Sequence, residues 1–321
     1  GDVLVSWQQW NAASIKYEVV GKFRNGGTNV WSSLESYGNP NSSAGFSQLA
    51  LDANGNALVY WRQAGFPQNL ESSSPKPLTG YLNVRYRNSD GTLENTVQLS
   101  NTEEDAFNGA TFHNENRVVF LEDGTAAVTW WVNDGTNPST IYSSAMPSKN
   151  VWTPPVALSN SGHNATLSKI AVGNGGDYSV IWQRADGLNT RIQTRTYHAS
   201  TSNWSAISTL SNSGSDALWG DIASDGDNQL SAIWVRNDGT THIPEVKRLS
   251  LNPFITKTTI TSNNTAISVS FNETVYNTDG ATGALEANDF TLSIAGGTAT
   301  LANTTPTSIS SNENVYTLGV S

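Results

Sequence analysis

Apolar and polar residues alternate in short runs along residues 1–254, and five of these runs end at a tryptophan. Alternation with a period of two predicts β-strands, because successive side chains of a strand point to opposite faces. Each run follows a turn rich in glycine or asparagine, the residues that tight turns favour. The five runs are residues 1–7, 55–61, 124–130, 176–182 and 228–234.

The tryptophans that end these runs define an internal repeat. They are Trp7, Trp61, Trp130, Trp182 and Trp234, and subtraction of their numbers gives spacings of 54, 69, 52 and 52 residues. The long spacing is explained by an insertion at residues 65–80, which is rich in Pro, Ser and Gly and is interpreted as a surface loop. The sequence therefore predicts repeated units of about 50 residues.

Three further strands complete each predicted unit. A second tryptophan opens a short strand at Trp31, Trp152 and Trp204, and Leu93 takes its place in the second unit. Four short strands in a repeat of this length are typical of a β-propeller blade. The remaining predicted strands are residues 15–23, 82–87, 140–145 and 191–198, and residues 46–52, 117–122, 167–172 and 218–224.

The predicted fold class is thus all-β, with a β-propeller of about five visible four-stranded blades over residues 1–254. A single sheet cannot bury both of its faces, so the blade tryptophans are expected to pack between neighbouring blades. The first blade begins at its second strand, and the last, near residues 218–251, has no obvious fourth strand. Either the two ends pair, or further domains or subunits complete the open sheet edges.

The composition changes after residue 254 to Thr, Ser, Asn and Ala, and no tryptophan follows Trp234. Strands are predicted at residues 256–261, 266–272, 290–294, 298–301 and 315–320. Residues 255–321 are expected to form a partial immunoglobulin-like β-sandwich, since a complete one has about 100 residues. The expectation is that the chain belongs to a longer polypeptide.

Composition narrows the classes of function. The net charge of −10 and the absence of a basic cluster argue against nucleic-acid binding. Apolar runs of about six residues are too short for membrane insertion. Only 14% of residues are charged and none is cysteine, a polar β-rich composition that favours a secreted or cell-surface bacterial protein.

Two stretches of the chain resemble known bacterial repeats. Residues 52–57 (DANGNA) and the phrases WTPPVALSNSG and WSAISTLSNSG resemble the Trp-containing propeller repeats of large secreted bacterial proteins, a likeness that covers residues 1–254. The segment FNETVYNTDGATGALEANDFTLS resembles the bacterial immunoglobulin-like repeats of surface adhesins. The second resemblance implies surface display and adhesion, and the first brings no catalytic role with it.

Candidate catalytic residues are few. A glycosidase on a propeller needs two or three carboxylates aimed at the central channel. The five strands that end at a repeat tryptophan are called the Trp strands. Asp52, Glu122 and Asp225 lie in the turns that precede three of them, where an acidic residue is common. Asp221 is the one carboxylate predicted in the middle of a strand, so it is the candidate ligand-binding residue among them. No catalytic residue is assigned.

Calcium is the small ligand that two loops favour. Asp52, Asn54 and Asn56 in one loop, and Asp225 and Asp227 in another, present closely spaced oxygen donors of the kind that hard cations bind. Neither loop has the glycine and distant glutamate of an EF-hand, so solvated turns are the other interpretation.

Three tryptophans lie outside the two repeated positions: Trp10, Trp131 and Trp219. Blade packing explains them less well, so they are predicted to bind sugar rings, with at least one exposed to solvent. The expected function is a non-catalytic surface protein for adhesion, glycan binding or assembly, whose partner is an extracellular glycan or protein. The alternative is a polysaccharide-active enzyme of the propeller type, a glycoside hydrolase or lyase.

Overall fold

The computed structural model describes residues 1–64, 80–100, 117–133, 137–199, 201–225, 229–249, 255–271, 275–277, 283–294, 298 and 300–320. It forms two compact units, residues 1–251 and 252–321; the sequence analysis placed their boundary after residue 254. The described residues contain β-strands and two 3₁₀ turns but no α-helix, as the all-β prediction requires.

The described residues of the first unit form five antiparallel sheets that follow one another along the chain. In each sheet the strand order follows the sequence, as in a meander. The first sheet contains β1 (Val3–Asn11), β2 (Lys16–Arg24) and β3 (Glu35–Ser36). The second contains β4 (Ala44–Leu51), β5 (Ala57–Ala64), β6 (Gly80–Arg87) and β7 (Val97–Gln98).

The third and fourth sheets repeat the four-stranded pattern. The third contains β8 (Val118–Phe120), β9 (Ala126–Val132), β10 (Thr140–Met146) and β11 (Val156–Ala157). The fourth contains β12 (Ala165–Val172), β13 (Tyr178–Ala185), β14 (Thr190–His198) and β15 (Asn203–Trp204), with β16 (Ser208–Thr209) also paired to β14.

The fifth sheet has three strands: β17 (Asp216–Ser224), β18 (Leu230–Asn237) and β19 (His242–Leu249). The Trp strand is the middle strand of the fifth sheet, whereas it is the first strand of the first sheet. Among the described residues, the first sheet therefore lacks the strand that precedes the Trp strand in the other sheets. A short 3₁₀ turn, Asn174–Gly176, leads into β13.

Glycine in the left-handed region makes the turn before three of the Trp strands. Gly55, Gly124 and Gly176 have φ values of 81°, 81° and 85°. L-residues with a Cβ rarely adopt this conformation, whereas glycine does so without steric conflict. The repeated turn residue of the sequence pattern therefore has a backbone cause.

Consecutive sheets stack through one recurring contact. In the second to fifth sheets, the face of the Trp strand that carries the repeat tryptophan, the Trp face, is turned toward the preceding sheet. Trp61 thus packs with the first sheet, Trp130 with the second, Trp182 with the third and Trp234 with the fourth. Trp61, Trp130 and Trp182 are among the largest fully buried side chains. The expected packing of the repeat tryptophans between neighbouring sheets is thus present.

The second unit contains one four-stranded antiparallel sheet among its described residues. Its strand order is β20-β21-β23-β22, with β20 at Ile255–Ile260, β21 at Ala266–Phe271, β22 at Ser308–Asn312 and β23 at Val315–Gly319. A second 3₁₀ turn is Ala287–Asp289. An immunoglobulin-like sandwich needs two packed sheets, so this part of the prediction remains a prediction.

The strand predicted at residues 290–294 is wrong. Residues 290–294 are not paired as a strand. They follow directly on the 3₁₀ turn, in which the Asp289 side chain accepts a hydrogen bond from the backbone N–H of Glu286. The Phe290 ring still packs near Tyr316, with ring centroids 6.2 Å apart. The apolar signal therefore reflects core packing, whereas Ser308–Asn312 supplies the strand.

The described residues contain no helix that is long and apolar enough to cross a membrane.

Candidate functional site

A β-bulge interrupts the first strand of the second, fourth and fifth sheets at the same repeat position. The pairing register shifts between Gly45 and Gln48 in β4, between Thr166 and Lys169 in β12, and between Leu218 and Asp221 in β17. A bulge leaves a residue unpaired and changes the direction of its side chain, and bulges are over-represented beside active sites.

The residue inside each bulge is bulky and has a left-handed backbone. Phe46, Leu167 and Trp219 have φ values of 56°, 54° and 54°. Side chains with a Cβ rarely adopt this region, so each position holds backbone strain that its surroundings must offset. Trp219 is 56% exposed and Phe46 is also exposed. The bulges of the second and fifth sheets therefore present a large aromatic side chain to solvent, whereas Leu167 is partly buried.

The bulges repeat in geometry but differ in chemistry. Two residues after the bulge residue come Gln48, Lys169 and Asp221 respectively. The Gln48 side chain accepts a hydrogen bond from the backbone N–H of Arg117, in the next sheet. Among the described bulges, the fifth sheet is the one that combines an exposed aromatic ring with a carboxylate.

An ion pair links this carboxylate to the fourth sheet. The Lys169 ammonium lies 3.4 Å from the Asp221 carboxylate, which is about half exposed, whereas the Lys169 side chain is mostly buried. The first strands β12 and β17, which carry the two residues, pack side by side. The carboxylate is thus held beside solvent by a buried, fixed cation.

Two further contacts fix Trp219. Its backbone N–H donates to Gln183 Oε1 at 2.5 Å, across the boundary between the fourth and fifth sheets. Its ring stacks on His242, with centroids 6.5 Å apart and planes 16° apart. Lys169, Trp219, Asp221 and His242 together form what we call the bulge site. It offers a flat aromatic surface, a carboxylate, a cation and an imidazole.

The structure places the other predicted tryptophans differently. Trp10 is exposed on β1 of the first sheet, where its ring meets Tyr17 edge-on at 5.0 Å. Exposure is thus found for Trp10 and Trp219. This agrees with the prediction that at least one of the three is exposed. Trp131 is instead buried in the core between the third and fourth sheets, because β9 is covered on both faces, so it offers no exposed ring to a sugar.

The loops predicted to bind calcium use their carboxylates inside turns. Asp52 Oδ1 accepts hydrogen bonds from the backbone N–H groups of Asn54 and Asn56, and Asp52 Oδ2 accepts from the Asn56 side chain. Asp225 Oδ1 accepts from the backbone N–H of Gln229.

These contacts match the interpretation as turns. Asp227 lies outside the described residues. Within the described ranges, no three His, Cys, Asp or Glu side chains form a group that could hold a metal ion. Calcium binding stays a prediction.

The carboxylate–imidazole pair of Asp177 and His198 has a structural explanation. His198 Nδ1 lies 2.8 Å from Asp177 Oδ2, and Asp177 Oδ1 accepts from the backbone N–H of Ala199. Asn56, at the same repeat position in the second sheet, accepts in the same way from the backbone N–H of Ser89. The recurrence shows that this position joins two turns.

A shallow cleft of about 310 Å³ lies beside Trp31 on the first sheet and reaches Arg87 and Asp90 of the second. Its polar groups are already engaged: Arg87 pairs with Glu35, and Asp90 Oδ1 accepts from Thr92. The cleft therefore offers less for chemistry than the bulge site.

Sequence reasoning found Trp219 and Asp221 but missed Lys169, His242 and the bulges. Lys169 and Asp221 occupy the same position of the repeat, so alignment of the repeats would have paired them. Glycine does not mark the left-handed position of the bulge, since Phe, Leu and Trp occupy it. His242 meets Trp219 across β18, since the fifth sheet places β17 and β19 on either side of that strand.

No protein-family model matches the chain, and no curated protein matches it. Three similar solved structures are a Hadza microbial sialidase, an α-L-arabinanase of Penicillium chrysogenum complexed with arabinobiose, and an α-L-arabinofuranosidase of Fusarium graminearum with an iminosugar inhibitor. Their sequence identities are 11%, 11% and 13%, and the TM-scores are 0.39, 0.45 and 0.44.

The match covers 77% of this chain and 63% of the sialidase, so the chain spans less than two thirds of that protein. It covers 84% of this chain against 85% of the arabinanase and 84% of the arabinofuranosidase. These proteins are glycoside hydrolases by name. The expectation of a non-catalytic protein for adhesion, glycan binding or assembly is therefore corrected, and the comparisons agree better with the alternative of an enzyme.

Proposed function

We propose that this chain is a polysaccharide-active enzyme, a glycoside hydrolase or lyase, whose five sheets are blades of a β-propeller. The observation that carries the proposal is the bulge site, where the exposed Trp219 ring lies two residues from the Asp221 carboxylate. The bulge recurs in three sheets, so it belongs to the fold. Its pairing of an aromatic ring with a carboxylate is singular among the described bulges, which favours a function.

The chemistry of the site suits a sugar. The apolar face of a pyranose or furanose ring stacks on a flat aromatic side chain, and Trp219 offers the larger exposed ring of the two aromatic bulge residues. A carboxylate beside that ring is positioned to exchange a proton with a glycosidic oxygen or a ring carbon. Asp221 is the candidate for this role, and Lys169 positions it.

The residues around Asp221 also bear on the type of substrate. Lys169 and His242 place positive or polar groups at the same site. An anionic sugar such as a uronate would find a cation there to pair with its carboxylate. We propose a polysaccharide as the partner of the bulge site and an extracellular location for the chain, as expected for an enzyme that acts on such a polymer.

The first test is an activity screen. The purified chain is expected to release products from at least one member of a panel that contains arabinan, sialylated oligosaccharides and uronate-rich polysaccharides. New reducing ends without a new carbon–carbon double bond indicate a hydrolase, and an unsaturated product indicates a lyase. Failure to cleave any member of the panel would contradict the proposal.

Asp221→Asn is expected to lower kcat by about 10²-fold or more, the size of a typical contribution from general acid–base catalysis. Lys169→Met is the matched control, since it breaks the same ion pair but keeps the carboxylate, and it is expected to lower kcat less. Trp219→Ala is expected to raise KM. Its matched control is Phe46→Ala, which removes an exposed aromatic side chain from the equivalent bulge of the second sheet. Equal losses for Asp221→Asn and Lys169→Met would mean that Asp221 acts only through the ion pair.

A further inference from the structure

Two aromatic side chains of the first sheet meet where β1 ends and β2 begins. Trp10 pairs with Tyr17 across the two strands, and their rings meet edge-on with centroids 5.0 Å apart. The two residues are 43% and 42% exposed. Contacting rings that remain this open to solvent offer a ready apolar surface to a ligand.

This pair lies on the face of the first sheet that packs on the second sheet. Trp10 is an even number of residues from Leu4 and Ser6 along β1, so the three side chains share a face. Leu4 lies in the core with Trp61, and the hydroxyl oxygens of Ser6 and Ser47 are 3.0 Å apart. The rings therefore belong to a covered face, and their exposure needs a local cause.

The local cause is that β1 continues past the end of β4. Gln8 packs against Gly45, since a Cβ built on Gly45 would fall 2.6 Å from Gln8 Oε1. Trp10 comes two residues, about 7 Å, further along β1, whereas β4 begins at Ala44. The rings of Trp10 and Tyr17 thus lie beyond β4, next to the loop that leads into it.

That loop is held beside the rings by two hydrogen bonds. The backbone N–H of Tyr17 donates to Ser43 Oγ at 3.3 Å, and Lys16 Nζ donates to the backbone carbonyl of Asn41 at 3.0 Å. Asn41 is exposed, so it adds an amide to the same end of the interface between the first and second sheets. We call Trp10, Tyr17 and Asn41 the aromatic corner.

The packing of the repeat does not require two aromatic residues at this position. The equivalent pair follows the repeat tryptophan by three residues and includes its cross-strand partner. It is Ala185 with Thr190 in the fourth sheet and Asn237 with His242 in the fifth. An aromatic pair that the first sheet adds to a shared fold favours a function over packing.

The size and chemistry of the aromatic corner suit one sugar ring. Two rings and an amide are far smaller than the roughly 800 Å² that each partner buries in a stable protein complex. The apolar face of a sugar stacks on an aromatic ring, and an amide both donates to and accepts from hydroxyl groups.

The charged side chains of the same hairpin are engaged. Lys16 Nζ is held by the Asn41 carbonyl, and Glu18 accepts a hydrogen bond from the Asn11 side chain at 2.7 Å. The three side chains of the aromatic corner are themselves uncharged. The corner therefore favours a neutral sugar, whereas the bulge site offers a cation.

We infer that the aromatic corner binds a neutral sugar unit of a polysaccharide at a site separate from the bulge site. The corner is built by the first and second sheets, whereas the bulge site is built by the fourth and fifth. The corner has no carboxylate of its own, so it holds the polymer without cleaving it. A polymer chain is thus bound at two places of different chemistry.

Isothermal titration calorimetry with soluble arabinan, galactan and mixed-linkage β-glucan, each titrated separately, tests the inference. The Asp221→Asn/Trp219→Ala double variant is the background, because it removes the binding and chemistry of the bulge site. This background is expected to bind at least one of the three polymers, with the same affinity at low and high salt, since a neutral ligand has no charge to screen. Binding to none of them overturns the inference.

Added to that background, Trp10→Ala is expected to weaken the affinity about tenfold or more, because the sugar loses its stacking surface. Trp10→Phe keeps a ring and is expected to restore most of the affinity. Trp31→Ala is the matched control, since Trp31 is a tryptophan of the same sheet, is 45% exposed and lies outside the corner. It is expected to leave the affinity unchanged, and circular dichroism verifies that each variant is folded.

Equal affinities for Trp10→Ala and Trp31→Ala, whether both are weakened or neither is, overturn the inference. The outcome is separable from the cleavage proposed above. A chain that cleaves no polysaccharide but loses polymer binding through Trp10→Ala supports the aromatic corner and contradicts the enzyme. A chain that cleaves a polymer yet binds equally well without Trp10 supports the enzyme and contradicts the corner.

Discussion

Trp182→Ala is expected to lower the free energy of unfolding by about 3–5 kcal/mol, the usual loss when a large buried aromatic is truncated. Trp182 is 1% exposed and lies in the core between the third and fourth sheets, with Trp131, Tyr178 and Val180. Its removal leaves a cavity that two rigid sheets cannot easily close. Denaturant unfolding followed by circular dichroism measures the change.

Trp7→Ala is the matched control, since Trp7 occupies the same repeat position but is only partly buried, on a face that none of the described sheets covers. It is expected to cost less than half as much, because a partly exposed side chain loses less apolar burial. Equal losses for the two variants would contradict the partial exposure of Trp7.

The period of the tryptophans was sufficient to predict the repeated sheets. Residues such as Ala57, Val59 and Trp61 alternate with a period of two, and a turn glycine precedes them, so strand and turn are both encoded locally. Their partners across the sheet interface come from the equivalent positions of other repeats. Local pattern and tertiary packing agree here, which is why the prediction succeeded.

Trp131 shows where the same reasoning fails. It follows Trp130 directly, so the two rings point to opposite faces of β9. The sequence analysis assigned Trp131 to sugar binding because it lies outside the two repeated tryptophan positions. A strand in the middle of a stack is buried on both faces, and all seven residues of β9 are buried. The number of covered faces depends on neighbouring sheets that a single strand does not specify.

The bulge site was only half predictable for a related reason. Asp221 stood out as a carboxylate within a strand, but its environment depends on the register shift between Leu218 and Asp221. Register is a pairing property of two strands, so the sequence of β17 alone does not specify it. The contact with Lys169 depends in addition on the stacking of two sheets.

A second large effect is expected at the ion pair between the first and second sheets. Arg87 donates to both oxygens of Glu35, from Nε at 2.8 Å and from Nη2 at 3.0 Å, and both side chains are nearly buried. The guanidinium also lies over the Phe23 ring, 4.0 Å from its centroid. Tyr37 donates a further hydrogen bond to Glu35 at 2.8 Å.

These contacts set the protonation of Glu35. Burial raises the pKa of Glu35, but hydrogen bonds from Arg87 and Tyr37 and the charge of Arg87 lower it more, so its pKa lies below the ordinary value of 4.5. A lowered pKa in the folded chain means that the carboxylate stabilises the fold above pH 4.5. That contribution is lost as the pH falls below 4.5 and through the folded pKa.

Arg87→Met is expected to lower the free energy of unfolding by about 3–5 kcal/mol at neutral pH, because it leaves the Glu35 carboxylate buried without its cation. The difference from wild type is expected to shrink as the pH falls below 4.5 and through the lowered pKa of Glu35, where the wild-type chain loses the ion pair as well. Urea unfolding at a series of pH values measures both effects.

The exposed pair of Lys149 and Glu94, 2.6 Å apart, gives the control. Lys149→Met is expected to cost much less stability than Arg87→Met, because solvent screens an exposed pair. Glu35→Gln tests the assignment of the pH dependence, since it removes the carboxylate while keeping the side-chain shape. If Glu35→Gln loses stability below pH 4.5 as steeply as wild type, another group is responsible for that loss.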